Sequence, residues 1–109
     1  MSNLTITVAV VGGETVDLTG PQVGSFLVHK SICDEWCVTH IASGTKFPWI
    51  FRKKREAIAF ARAVEPVMDW SAVQVQSVGW NKTKFTSGAP TQEQCDAIDA
   101  LMKQHGGIR

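Results

Sequence analysis

Four consecutive cationic side chains, Arg52, Lys53, Lys54 and Arg55, are hard to explain by folding alone. Helical spacing starts at Lys53, so the run lies in the first turn of a predicted helix. Cations there oppose the helix dipole at about 0.3–1 kcal/mol each, and only Glu56 offsets them. Phosphate oxygens suit a site that gathers cations beside free backbone donors. The competing interpretation is a solvated turn whose repulsion is screened by salt.

Aromatic residues border this basic run and a second lysine-rich segment. Trp49 and Phe51 precede the run, and residues 80–85 again alternate rings with lysines. Such alternation is typical of proteins that stack on unpaired bases, although most tryptophans of small domains serve in packing. The candidate residues for binding nucleic acid or a protein partner are Lys30, Lys46, Trp49, Arg52, Lys53, Lys54, Arg55, Arg62, Trp80, Lys82 and Lys84.

Two histidines and two cysteines in the central segment raise the question of zinc. The spacing of His29, Cys33, Cys37 and His40 is not that of a zinc finger. The predicted hairpin puts the two cysteines on opposite faces, whereas tetrahedral zinc needs four converging ligands. It puts both histidines on one face, so a two-histidine site is an alternative to a polar cross-strand pair. No metal or other cofactor is predicted.

Catalysis is not predicted either. A cysteine beside a histidine can act as nucleophile and base, but Cys37 and His40 are expected on opposite faces. The chain has no Gly-rich phosphate loop, zinc-protease helix or Gly-x-Ser-x-Gly elbow. We therefore expect a binding module and not an enzyme.

Composition places these residues in one folded domain of 109 residues, with 44% hydrophobic and 19% charged residues. The net charge is +1, but residues 26–62 hold seven basic side chains against three acidic ones. No apolar run approaches the roughly 20 residues of a membrane span, and we expect neither a secretion signal nor a membrane partner. Three cysteines favour a reducing cytoplasm over a disulfide framework.

The first twenty residues predict a hairpin around Gly12-Gly13, with apolar residues at every second position. A two-residue loop would pair Val8 with Asp17 and mix the two faces. A three-residue loop pairs Val8 with Leu18 and keeps the apolar face whole, so we expect that register.

A central hairpin is predicted from Phe26 to Cys33 and from Trp36 to Ile41, with Asp34-Glu35 at its tip. In the expected register Cys33 faces Trp36. The predicted core face holds Phe26, Val28, Ile32, Cys37 and Ile41, with Val28 opposite Ile41 and Ile32 opposite Cys37. The other face shows Leu27, His29, Ser31, Cys33, Trp36, Val38 and His40.

A third strand is predicted from Phe47 to Arg52, with Pro48 marking an edge position. The helix that follows has one apolar stripe, formed by Ala57, Phe60, Ala61, Val64 and Met68, and Pro66 is expected to end it or to kink it.

Beyond the main helix, Trp70 is expected to anchor a loop, and a half-exposed strand follows at residues 73–78. Thr91 and Gln94 predict a capping box, and the last helix is expected to end near Gln104.

The predicted fold class is α+β: a small antiparallel sheet of about five to six strands, in ββ-βββ-α-β-α order, packed on one main helix with a short C-terminal helix. The single domain, 1–109, divides into an N-terminal hairpin at 1–20, a sheet-plus-helix unit at 26–70, an additional strand and loop at 72–86 and a final helix at 91–105.

The run from Trp36 to Gly44, with Phe51 to Ala57 and Ala61, resembles two families of DNA-binding domain: the plant ethylene-response type and the arm-site-binding domain of phage integrases. Both have a three-stranded sheet on one helix, and the sheet enters the DNA major groove. The resemblance covers about 40 of the 109 residues. Where a Ser or Thr cap is usual in those families, this chain has Arg52 and Lys53.

The chain also looks like small accessory proteins of phages and mobile elements, including anti-CRISPR inhibitors of host nucleases. We therefore expect a cytoplasmic, phage- or mobile-element-type protein that contacts the nucleic acid backbone. The alternative is a module that blocks a host defence nuclease through the same surface. A homodimer is compatible with either function.

Overall fold

The α+β class is confirmed by the computed structural model, which describes residues 3–9, 14–31, 34–79 and 82–108. Five strands form one antiparallel sheet in the order β1-β2-β3-β4-β5, and a two-stranded ribbon follows the main helix. The elements are β1 (Asn3–Ala9), β2 (Thr15–Val23), β3 (Phe26–Lys30), β4 (Trp36–His40), β5 (Thr45–Lys46), α1 (Lys54–Val64), β6 (Gln74–Gly79), β7 (Lys82–Ser87) and α2 (Gln92–Gln104). The segment predicted as a loop after residue 79 therefore contains a strand, β7.

Both helices form where the sequence predicts them, except that Met68, predicted on the stripe of the first helix, lies beyond α1 in extended backbone. The stripe of α1 buries Ala57, Phe60, Ala61 and Val64 against one face of the sheet. At Glu65 the chain tightens into a short 3-10 turn, because Pro66 cannot supply the next helical hydrogen bond. The capping box of α2 is present at Thr91, and this helix ends at Gln104.

An aromatic cluster joins α1 to the sheet. Trp70 lies edge-on to Phe26, with ring centroids 4.9 Å apart, and Phe47 lies edge-on to Phe60 at 5.4 Å. The indole Nε1–H of Trp70 donates to the carbonyl oxygen of Val64 at 3.0 Å, which satisfies the last turn of α1. The expected anchoring role of Trp70 is confirmed.

The register of the N-terminal hairpin differs from the predicted one by two residues. Val8 pairs with Val16, and not with Leu18, while Leu18 pairs with Ile6. An even shift leaves every side chain on its predicted face, so the alternating pattern alone could not distinguish the two registers. Part of the connection, residues 10–13, lies outside the described residues.

The central hairpin differs by an odd number of residues, which exchanges the faces of β4. Val28 pairs with Val38, and not with Ile41. The reason is a wider loop, closed by a hydrogen bond from Ser31 N–H to the Glu35 carbonyl at 2.7 Å. The predicted tip pairings are also wrong, since Trp36 pairs with Lys30 and Cys37 pairs with His29, in place of Cys33 and Ile32.

The third strand does not form over its predicted range, residues 47–52, and a shorter strand lies just before that range. Only Thr45 and Lys46 form β5, and the chain bends at Pro48, which has no N–H to continue the ladder. Pairing resumes at single positions, where Ile50 bridges Ile108 and Phe51 bridges Trp36.

The sheet face turned away from α1 is buried as well. Leu27, His29, Cys37 and Thr39 point to it, and each is at most 4% exposed. The strand registers show that this second face of the sheet is continuous with the apolar face of β1 and β2. Val8 of that apolar face lies against the turn at Gly44. The sheet therefore curls, and the β1–β2 hairpin covers its second face.

Gly20 lets β2 approach β3 at this curl. A Cβ built on Gly20 would collide with the backbone carbonyl of Val28, which cannot move without breaking the sheet.

We expect Gly20→Ala to lower the free energy of unfolding by more than about 2 kcal/mol, because the added methyl group forces β2 away from β3. Thr15→Ala, at an exposed position of the same strand, should change it by less than about 1 kcal/mol. Urea denaturation followed by circular dichroism measures both values. Equal stabilities of the two variants would contradict this account of the curl.

Candidate nucleic-acid interface

Trp36 lies at the centre of a row that crosses three segments of the chain. On one side it pairs with Lys30 of β3. On the other side it exchanges two backbone hydrogen bonds with Phe51, at 2.9 and 2.8 Å. Arg52, Lys53 and Lys54 follow Phe51 directly, so the sheet places the start of the basic run next to Trp36, on the side opposite Lys30.

Two ammonium groups lie near the Trp36 ring. Lys30 Nζ is 5.4 Å from the ring centroid, and Lys54 Nζ is 5.5 Å from it. Each cation–π contact contributes about 0.5–1 kcal/mol at an exposed site. The indole is half-buried and packs against the main core, which fixes its position. We call Lys30, Trp36, Arg52, Lys53 and Lys54 the Trp36 surface.

Little acidic charge compensates this surface. Within the described residues, Lys30 makes an ion pair with Asp34 at 2.9 Å, and no side chain of the basic run makes one. The carboxylate of Glu56, expected to relieve the run, lies against the backbone of Gly106. Lys53 is the N-cap of α1 and makes no side-chain capping bond. The helix therefore begins with cations and without a side-chain acceptor for its first N–H groups.

The four cations of the run do not form a single cluster. Successive helical residues are rotated by about 100°, so Lys54 and Arg55 point in different directions. Lys54 lies beside Trp36, whereas Arg55 and Arg62 occupy the side of α1 opposite its buried stripe. Arg62 lines a separate cavity together with Gln22, Val23, Gly24 and Glu65. The structure thus places Arg55 and Arg62 outside the Trp36 surface.

Among the other candidates, Lys46 lies opposite Thr39, on the sheet face turned away from Trp36. Lys84 is exposed on β7, where it pairs with Gln76. Trp80 and the side chain of Lys82 lie outside the described residues. Neither Lys46 nor Lys84 is shown in contact with the Trp36 surface.

The expectation that Trp49 stacks on a ligand is wrong for this structure. Trp49 is 4% exposed, and its ring lies parallel to that of Phe47 and edge-on to that of Phe60. The bend at Pro48 turns this indole into the core. Its place as an aromatic next to cations is taken by Trp36, which the predicted register had set opposite Cys33. Trp36 would have been identified as a site residue only if the predicted register had paired it with Lys30.

The two-histidine alternative is also contradicted, because the odd register shift separates the rings. His29 Nε2 lies 2.7 Å from Thr39 Oγ1 on the second face, while His40 Nδ1 lies 2.7 Å from Ser43 Oγ on the face of α1. Among the described residues, no group of three or more His, Cys, Asp or Glu side chains could hold a metal ion. Cys33 is not among those residues.

His29 and Cys37 are cross-strand partners, but they are not an activated pair. Burial lowers the pKa of His29 and raises the pKa of Cys37, so both side chains are neutral near pH 7. A nucleophilic cysteine needs the thiolate and access to its substrate, and the Cys37 residue is fully buried.

The geometry also bears on how nucleic acid could dock. The expected resemblance of residues 36–44 and 51–57 to DNA-binding domains implies an open sheet face that enters the groove. Here the sheet face turned away from α1 is covered. Comparisons of the chain with protein-family models, curated proteins and solved structures found no match. None of the helices in the described residues is long and apolar enough to cross a membrane.

Because His29 and His40 are buried, we expect the free energy of unfolding to fall as the pH is lowered. Burial lowers the pKa of His29 and of His40 from the ordinary 6.5, so the unfolded chain binds protons more readily than the folded one. Stability is therefore fully present above about pH 6.5 and falls as the pH drops through the folded values, by at most about 1.4 kcal/mol per pH unit for each histidine.

Urea titrations between about pH 7.5 and pH 5 measure this slope. The double substitution of His29→Gln and His40→Gln keeps polar partners for Thr39 and Ser43 but cannot titrate there, so we expect a flatter slope. An unchanged slope in the double variant would show that other groups cause the loss.

Proposed function

We propose that this protein binds the phosphate backbone of nucleic acids through the Trp36 surface. The observation that carries the proposal is the convergence of Lys30 and Lys54 on one indole, beside a helix start with no acidic cap. Within the described residues Lys53 and Lys54 make no ion pair and oppose the dipole of α1, whereas Lys30 is paired with the exposed Asp34. A polyanion bound here would offset the opposition between Lys53, Lys54 and the helix dipole.

The chemistry of the surface suits an unpaired strand. Lys30 and Lys54 can move from the Trp36 ring to neutralise successive phosphates, and the ring then offers an aromatic surface to a base. Arg52 and Lys53 are exposed and extend the positive charge along the backbone path. Single-stranded DNA or RNA is therefore the preferred ligand class, with phosphate contacts giving affinity and little sequence selectivity.

The cysteine content and the resemblance to phage proteins support a cytoplasmic accessory protein of a phage or mobile element as the setting. The same cations and half-buried tryptophan also suit an acidic protein surface, since Trp and Arg are enriched at interface hot spots. An inhibitor that occupies a host nuclease through this surface is the second candidate function.

Fluorescence anisotropy with labelled single-stranded and duplex oligonucleotides, at about 50 and 200 mM salt, tests the proposal. We expect steep weakening with salt. Combining Lys30→Ala, Lys53→Ala and Lys54→Ala should reduce affinity at low salt by about tenfold or more. The slope of log K against log salt should become shallower by about 2, because up to three phosphate contacts are lost.

Lys46→Ala is the control for Lys54→Ala measured alone, because each removes one positive charge and Lys46 lies on the other face of the sheet. We expect it to change affinity less than about threefold. Binding that is insensitive to salt, or a triple variant that binds as tightly as the native chain, would contradict the proposal. Absence of any nucleic acid binding would leave the protein-partner function to be tested by capture of an acidic protein.

Lys53→Asp separates binding from folding. An aspartate at this N-cap can accept a first-turn N–H and complements the helix dipole, so we expect the free energy of unfolding to rise by about 1 kcal/mol. The same change replaces a cation of the Trp36 surface by an anion, so nucleic acid binding should weaken more than it does in Lys53→Ala.

Thermal denaturation and anisotropy on one preparation give both quantities for Lys53→Asp. A variant that is more stable and binds as well as the native chain would show that Lys53 takes no part in binding. One that is less stable would contradict the assigned N-cap.

A further inference from the structure

The first strand forms an edge of the five-stranded sheet. Over all seven residues, Asn3–Ala9, β1 pairs with β2 without a register shift. In the part of the chain that the structure describes, no strand pairs with its other side. A regular row of backbone donors and acceptors therefore faces outward along this edge.

The two edges of the sheet are built differently. At the far edge, β5 has only two residues, carries Lys46 and is followed closely by Pro48, all of which discourage pairing with another chain. β1 has none of these devices, since Asn3–Ala9 contains no charged residue and no proline. It is long, regular and neutral, which is the kind of edge that recruits a further strand.

The sequence of β1 is complementary to itself. When two copies pair antiparallel about Ile6, all seven residues overlap, Ile6 faces Ile6 of the other copy, and Leu4 faces Val8. Thr5 faces Thr7 on the opposite side of the sheet. Both apolar faces thus fall on one side of the joined sheet, which is what a two-fold symmetric contact requires.

We propose that β1 pairs antiparallel with β1 of a second copy, centred on Ile6, to form a homodimer with one continuous sheet. Absence of charge removes repulsion between the two strands, and the self-matching pattern selects this chain as the partner. A strand-edge contact is small, so we expect the dimer to dissociate in the micromolar range. This contact is independent of the Trp36 surface.

Sedimentation velocity between about 5 and 500 µM measures the association by mass action. We expect a shift from monomer to dimer over this range. Hydrogen-exchange mass spectrometry at the two extremes should show greater protection of the β1 amides at the higher concentration, with little change in α1.

The combined Thr5→Lys and Thr7→Lys substitutions place like charges opposite each other across the two-fold axis of the dimer. Within each chain, the lysine introduced at position 7 lies opposite Asp17, which favours the pairing of β1 with β2. We expect the dimer dissociation constant to rise at least about tenfold. Thr15→Lys with Thr19→Lys adds equal charge on β2 and is the control, expected to dimerise like the native chain.

Three results would overturn the proposal. One is a protein that stays monomeric at the highest concentration. Another is a native dimer whose β1 amides gain no protection from hydrogen exchange at high concentration. This measurement uses the native chain and so does not depend on how the variants fold. The third is a folded Thr5→Lys, Thr7→Lys protein that dimerises as tightly as its control.

Discussion

The hydrogen bond from Ser31 N–H to the Glu35 carbonyl sets the register on which the rest of the structure depends. It makes the β3–β4 loop wider than the shortest one allowed by the sequence, and thereby pairs Lys30 with Trp36. Val38 and His40 then join the core face beneath α1, and Cys37 moves to the second face. The position of Trp36 beside Lys54 follows from that pairing.

Curling of the sheet restricts where a ligand can bind. Because the β1–β2 hairpin covers the face turned away from α1, and α1 covers the other, neither face of the central strands is open. Two surfaces outside these covered faces remain. One gathers cations around Trp36 at the start of β4, and the other is the neutral outer edge of β1. They differ in charge, and we have proposed a different partner for each: a polyanion for the first and a second copy of the chain for the other.

Local signals predicted local structure well. The stripe of α1, the capping box at Thr91 and the anchoring of Trp70 depend on residues a few positions apart, and each is confirmed. Strand registers failed because hairpin loop length is set by turn hydrogen bonds that side-chain type does not specify. The faces of Trp36 and Trp49 depend on those registers and on the bend at Pro48. The basic run was visible in the sequence, but its aromatic partner was not.

The most direct measurement of the central claim is an NMR titration with a short single-stranded oligonucleotide, observing backbone amides and the four indole N–H signals. We expect the Trp36 indole and the amides of Lys30 and residues 51–54 to shift together, while the buried indoles of Trp49 and Trp70 stay in place. Shifts confined to the β6–β7 ribbon, or a Trp36 indole that does not respond while the oligonucleotide binds, would contradict the central claim.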